Sequence, residues 1–350
     1  MARFMTYFFV ALLALVFVLA GYSAFENMRV EAAHGPLGSF VEVDGVQLHY
    51  VDQAPEGGGD GAPIVLIHGA SGNLRDFMVS ILPELAKRHR VIAFDRPGHG
   101  WSGRPARDDV HDPRVQAQII HEAVKKLRLE KPLVLGHSWG GAVAVAYALA
   151  FGDELTGVAV MSGATHPWAG GTAWYHDVVK LPVIGEFFLR TLVVPAGKFL
   201  AGPGVVRNFA PDPAPPGFAD EIGLDLLFRP DNFRYNSQDT RHLKTILAEM
   251  SPGYDAISVP TLIMTGNRDQ TVLAKIHSYV LHEQVTGSEM IKLQNTGHMP
   301  HHAHRDVIVE ALTRLAMTGE VTEGMRVVGT PSPPPNPPPQ GGGNCIETSL

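Results

Sequence analysis

Residues 133–142 read Leu133-Val134-Leu135-Gly136-His137-Ser138-Trp139-Gly140-Gly141-Ala142, and the fold turns on them. A short apolar run stops at a serine flanked by glycines, and the small residues Ala142-Val143-Ala144-Val145-Ala146 follow. The first run suits a strand buried on both faces, and the second suits a helix held close to it. Such a sharp strand–turn–helix lifts one side chain above the C-terminal edge of a sheet, where α/β proteins build their sites. The turn demands small residues two places before and two after that side chain. Gly136 and Gly140 meet the demand for Ser138, in a G-x-S-x-G pattern. Without chemical partners, Ser138 is only a turn residue.

Working outward, other short apolar runs repeat the texture: Ile64 to Ile67, Val91 to Phe94, Val158 to Met161 and Thr261 to Met264. Helical patterns alternate with them over 74–88, 113–129, 141–150, 272–285 and 303–317. This alternation predicts an α/β fold with a mostly parallel sheet flanked by helices. Ahead of it, SFVEV and VQLHYV alternate apolar and polar residues around Asp44-Gly45, the signature of an antiparallel hairpin. The alternation lapses once, over 165–255, where aromatic and helical pieces replace buried strands. An inserted helical cap is expected there. The parts are therefore an anchor or signal segment over 1–30, a first core part over 39–164, the cap over 165–255, a second core part over 256–318 and a disordered tail over 319–350. In that tail, Pro331 to Asn344 is proline- and glycine-rich, a composition unable to bury apolar surface.

A serine hydroxyl needs a base within hydrogen-bond reach. Among 17 histidines, His298 follows the apolar stretch Met290 to Leu293, on a loop at a strand's C-terminal end. The base in turn needs a carboxylate to fix its tautomer. Asp269 directly follows the strand Thr261 to Met264 and meets that need; its competing reading is a helix cap. Asp255 precedes the same strand and falls at the wrong edge. The chain order is then Ser138, Asp269, His298. Backbone amides must hold the oxyanion, and Trp139, next to the nucleophile, and Ala70, in the loop His68-Gly69-Ala70-Ser71-Gly72, are the expected donors. His68 is read as ordering that loop. The neighbouring His301, His302 and His304 are read as solvated residues opening a helix, because no carboxylate or cysteine completes a metal-ligand set. Neither a metal nor any other cofactor is expected.

The chain of 350 residues carries a net charge of −7 and no basic stripe, which argues against nucleic acid as a partner. Its single cysteine, Cys345, excludes an intramolecular disulfide. From Phe4 to Phe25 no side chain is charged, and at about 1.5 Å per residue the run spans a hydrocarbon core of roughly 30 Å. Two readings stay open. One is an uncleaved anchor with the rest of the chain outside the cytoplasm; the other is a signal peptide cut near Ala20, giving a secreted protein.

HGASGN, FDRPGHGWS, GHSWGG, TGNRD and TGHMPHH, in that order, resemble the α/β-hydrolase fold family, specifically its serine hydrolases with a helical cap. The likeness runs from about Phe40 to Met317. It implies an eight-stranded, mostly parallel sheet, a catalytic triad on Ser138, Asp269 and His298, and no cofactor. Related epoxide hydrolases and haloalkane dehalogenases carry aspartate where this chain has Ser138. Carbon–carbon bond hydrolases of the same family use serine but place an aromatic residue after the catalytic histidine, where Met299 stands here. The resemblance therefore points to hydrolysis of small-molecule carboxylic esters, with thioesters or lipids as variants. A carbon–carbon bond hydrolase and a ligand-binding or signalling homologue without turnover are the alternatives.

Overall fold

The computed structural model describes residues 1–57 and 59–329. Pro331 to Asn344, Cys345 and the last residues of the chain lie outside them.

The hairpin opens the sheet. β1 (Ser39–Val43) and β2 (Val46–Gln53) pair antiparallel with Val43 opposite Val46. Asp44 and Gly45 between them have φ of 51° and 76°, the doubly positive geometry of a tight I′ turn. The next strands are β3 (Ile64–Ile67), β4 (Val91–Phe94), β5 (Leu133–His137), β6 (Gly157–Met161) and β7 (Thr261–Gly266), buried along their whole length. They are followed by β8 (Glu289–Leu293) and β9 (Gly324–Val328). The spatial order is β1-β2-β4-β3-β5-β6-β7-β8-β9, and every pairing from β4 onward is parallel.

Among the described residues the sheet thus has nine strands where the resemblance implied eight. β9 lies inside the segment expected to be a disordered tail, so the core continues beyond residue 318. Its backbone satisfies the open edge of β8, with Glu289 opposite Gly324 and Leu293 opposite Val328. The buried Glu289 carboxylate fastens this end: it accepts from Arg314 at 2.5 Å, from the Thr322 amide at 2.9 Å and from Arg326 at 3.3 Å.

α1 (Ala2–Ala33) leads the chain and is treated below. On one face of the sheet, α2 (Arg75–Met78) and α3 (Leu82–Leu85) replace the single helix expected over 74–88. Pro83 in the first turn of α3 has no N–H to continue a helix from before it. The opposite face carries α4 (Pro113–Lys126), whose N-cap Asp112 accepts from the Arg114 amide at 2.8 Å. Beside it lies α5 (Trp139–Phe151). Between β6 and β7 come α6 (Trp174–Val179), α7 (Ile184–Thr191), α8 (Val193–Phe209), α9 (Phe218–Glu221) and α10 (Pro230–Met250), with no strand. α11 (Ser278–Gln284), α12 (Pro300–Ala303) and α13 (Arg305–Thr318) are the last helices among the described residues. One core layer sets Val134, Val158 and Ile263 against α4, α5 and α10. The other sets Leu66, Leu135 and Met264 against α2, α3 and α13.

Candidate active site

α5 starts immediately after Ser138, which sits at φ 54° and ψ −118°, a conformation that few side chains other than glycine adopt. The strain is tolerated because both neighbouring glycines are wedged between backbones. A Cβ on Gly136 would stand 2.0 Å from the Gly140 carbonyl oxygen, and one on Gly140 would stand 2.3 Å from the Ile67 oxygen. Packing of α5 on β5 and β3 therefore fixes the turn that exposes the hydroxyl.

Three loops at the C-terminal edge of the sheet converge there. Ser138 Oγ lies 2.9 Å from His298 Nε2, and His298 Nδ1 lies 2.7 Å from Asp269 Oδ2. His298 is also held through its backbone: its amide donates to the Asn208 carbonyl at 2.9 Å, and its carbonyl pairs with His137 Nε2 at 2.9 Å. Asp269 serves two tasks with two oxygens. Oδ2 faces the imidazole, while Oδ1 accepts from the Thr271 and Val272 amides at 2.8 and 2.9 Å, so the capping reading of Asp269 also describes its geometry. Asp255 is exposed, in the segment that enters β7 from the opposite edge.

Ala70 lines the cavity beside Ser138. The Trp139 amide is in the first turn of α5 and has no intrahelical acceptor. Close approach of this loop to the serine explains Gly69, where a Cβ would meet Ser138 Cβ at 2.8 Å. The loop is held from both sides. His68 is buried, with Nδ1 2.8 Å from the Gly69 carbonyl, and its Nε2 accepts from the Arg96 amide at 3.0 Å. Burial, aided by the Arg96 charge, lowers its pKa to about 4, so the ring is neutral at ordinary pH. The Ser71 amide donates to Asn236 Oδ1 of α10 at 2.7 Å.

Arg96 itself is fully buried, and burial lowers its pKa to about 10 despite its partners. It pairs with Asp239 of α10 at 2.8 Å and lies 4.1 Å from the centre of the Trp139 ring. Arg104 holds the other Asp239 oxygen at 2.9 Å. Charge pairing thus joins α10 to the loop after β4.

Sequence reasoning missed a neighbouring cluster. His301 is buried and His302 nearly so, rather than solvated, because Asp76 of α2 bonds both, at 3.0 and 2.8 Å. Burial would raise the Asp76 pKa, but the two imidazoles hold it well below the usual carboxylate range. The carboxylate thought absent near these histidines is present, supplied from 225 residues away along the chain. Asp76, His137 and His301 offer ligand atoms within 4.8 Å of one another, a residue set compatible with a divalent cation. Both Asp76 oxygens, however, are already engaged by imidazoles. Only a search for every acid able to fold onto residues 301–302 could have exposed Asp76.

Above Ser138 and His298 lies a cavity of about 450 Å³, walled largely by the inserted helices, including Phe188, Leu200, Val205 and Phe228. No Lys or Arg is among its lining residues.

Residues 64–311 match the family model described as "Alpha/beta hydrolase family". The chain is 30% identical over 172 residues to a 2-hydroxy-6-oxo-6-(2'-aminophenyl)hexa-2,4-dienoic acid hydrolase of Metapseudomonas resinovorans. That match takes in 47% of this chain and 53% of the relative, so it spans about half of each. Among solved structures, an esterase of Exiguobacterium antarcticum superposes with a TM-score of 0.61 at 24% identity, over 81% of this chain and 100% of the other. A membrane phospholipase A described as a bacterial virulence factor superposes with a TM-score of 0.59 at 20% identity, over 90% and 98%. The fold is that of the α/β-hydrolases. The chain belongs to the α/β-hydrolase family.

Proposed function

We propose that this protein is a serine hydrolase of carboxylic esters, acting through an acyl-enzyme on Ser138. The observation that carries the reading is the relay from Ser138 through His298 to Asp269, at 2.9 and 2.7 Å, opening onto an apolar cavity. In the first half-reaction His298 Nε2 takes the proton of Ser138 as Oγ attacks the acyl carbonyl carbon. Asp269, bonded to Nδ1, keeps the tautomer correct and stabilises the imidazolium. The amides of Ala70 and Trp139 receive the oxyanion. Collapse breaks the ester C–O bond, and His298 returns the proton to the departing alcohol. Water then repeats the sequence on the acyl-enzyme and releases the acid.

The inserted helices act as the cap in this reading, and the acyl chain lies among Phe188, Leu200 and Val205. The M. resinovorans relative acts on an acid, as its name says. A cavity without a cationic lining residue offers no counter-charge to a substrate carboxylate, which favours a neutral acyl substrate here.

The apolar α1 fits a membrane anchor or a signal sequence by length and composition. We adopt an uncleaved anchor with the hydrolase outside the cytoplasm. Retention is favoured because the half-buried Val16 and Leu19 precede Ala20 and the buried Ser23 and Glu26 follow it, so cleavage there would divide one packed stripe. An intact N-terminus on protein recovered from membranes is the expected result, and a shortened one would establish the secreted alternative.

The deciding experiment measures p-nitrophenyl ester turnover and labelling by a fluorophosphonate. Ser138→Ala should lose labelling and lower kcat by about 10⁴-fold or more. Undiminished turnover in that variant would sink the proposal.

A further inference from the structure

α8 is apolar around its whole circumference: VVPAGKFLAGPGVVRNF carries only Lys198 and Arg207 as charges. A helix of that kind belongs inside a protein or a membrane. Yet Phe199 is 81% exposed and Val206 64%, while their neighbours Leu200 and Val205 line the cavity. One helix therefore has the candidate acyl site on one side and exposed apolar side chains on another. The adjoining turn and α7 extend the bare face with Val183 at 81% and Ile184 at 57%. Among the described residues after α1 and outside this segment, Trp174 of α6, at 69%, is the only large apolar side chain above 57%.

The occupant follows from where α1 runs. Val16, Leu19, Ser23, Glu26 and Val30, three or four residues apart, form its one screened stripe. That stripe packs against α7 and α8: Ser23 Oγ donates to the Thr191 carbonyl at 3.4 Å, and Lys198 reaches the Glu26 carboxylate. Val16 and Leu19 belong to the uncharged run that ends at Phe25. If α1 spans a bilayer, the part of the inserted helices beside them sits at hydrocarbon depth. Lys180, Arg190 and Lys198 are paired with Asp177, Glu186 and Glu26, while Arg207, at the end of α8, has no ion pair among the described residues. A long cation at the rim of an apolar face reaches anionic headgroups while its stem stays in the apolar layer.

We propose that the outer faces of α7 and α8 insert into the membrane leaflet beside α1, and that the cavity takes lipid esters directly from that leaflet across α8. The proposal rests on the readings of α1 as an anchor and of Ser138 as an ester-cleaving nucleophile. Its distinctive content is the lipid contact of α7 and α8.

The test uses the full chain in phosphatidylcholine–phosphatidylglycerol vesicles. With Cys345 changed to Ser, an environment-sensitive fluorophore is attached in separate variants at Phe199→Cys, Val206→Cys and, as a control on the core, Lys125→Cys. Probes at 199 and 206 should be quenched by lipids spin-labelled near the headgroup end of the acyl chain, and the probe at 125 only by aqueous iodide. Iodide quenching at 199 and 206 would overturn the proposal. So would protection that vanishes on dilution into excess lipid, because a second copy of the chain would then be the occupant. In a second arm, the double variant Phe199→Asp, Val206→Asp should lower kcat/KM on a vesicle-borne long-chain ester at least tenfold. Dissolved p-nitrophenyl acetate should change less than twofold; an equal loss on both substrates would overturn the entry route. Flotation of the unlabelled chain with vesicles reports on the anchor alone, and Ser138→Ala on dissolved ester reports on the nucleophile alone. A failure of either underlying reading is thereby told apart from a failure of the α7–α8 contact.

Discussion

α5 and α8 are two apolar helices on either side of Ser138, and they are apolar for different reasons. α5 has no charge, is buried from Trp139 to Ala148, and presses Gly140 against β3 backbone and Gly141 against Gly163 after β6. α8 has two charges and three glycines, and only Val193, Val194 and Phe209 are buried. A Cβ on its Gly202 or Gly204 would meet nothing within 4 Å. Composition alone does not separate the two helices. The difference lies in what stands behind each: a sheet behind α5, a cavity behind α8. One helix fixes the turn at Ser138, and the other walls the cavity above it.

Changes on the α5 side should be severe, and the largest concerns the proton relay. Asp269→Asn keeps a group of the same size but offers His298 Nδ1 the wrong partner. It should lower kcat by about 10²–10⁴-fold, with little change in KM, in steady-state ester hydrolysis. Retention of full activity would remove Asp269 from the relay. Next, Gly140→Ala must displace backbone at 2.3 Å, and should destabilise the fold by about 1–3 kcal/mol or more, read as a lowered thermal midpoint.

The loop facing α5 also sets an acid limit. His68 stays neutral in the fold down to a pKa of about 4, whereas the unfolded chain takes the proton near 6.5. The unfolded state therefore binds more protons as pH falls between those values, and stability is lost through that window. From pH 7 to pH 5 this single group should remove about 2 kcal/mol, a loss that His68→Gln should escape when detergent-solubilised protein is melted at both values.

On the α8 side effects should be smaller and selective. Ala201→Phe intrudes on the cavity wall and should lower kcat/KM for long acyl chains by roughly tenfold while sparing acetyl esters, assayed across a chain-length series. Gly202→Ala should stabilise the protein by up to about 1 kcal/mol, opposite in sign to the same change at Gly140. Equal signs at the two positions would dissolve the contrast between the helices.

These local rules explain what could be read from the sequence. The central strands announce themselves because a strand covered on both faces must be apolar throughout, as at Ile64 to Ile67 and Leu133 to Leu135. Ser138 and Asp269 stand out because each closely follows such a strand, and His298 because its loop follows the apolar stretch Met290 to Leu293; the structure brings the three together. β9 was missed because an edge strand reading Gly-Met-Arg-Val-Val, half exposed, lacks that texture. Asp76 was missed because a single acid in a short helix carries no local sign of the histidines it will meet. The break between α2 and α3 falls just ahead of Pro83, inside a stretch whose apolar spacing over 74–88 has the pattern of one helix.

The buried Asp239 carries a consequence for any attempt to recombine this protein. It sits in α10 yet is neutralised by Arg96 and Arg104, which belong to the loop after β4, and it shares Gln116 with Arg96. The helical insertion is therefore not a portable module. A chimera that grafts it onto another hydrolase without those arginines would bury a carboxylate with no counter-ion, and one that grafts only the arginines would strand two cations. Such an exchange succeeds only when both halves of the latch travel together.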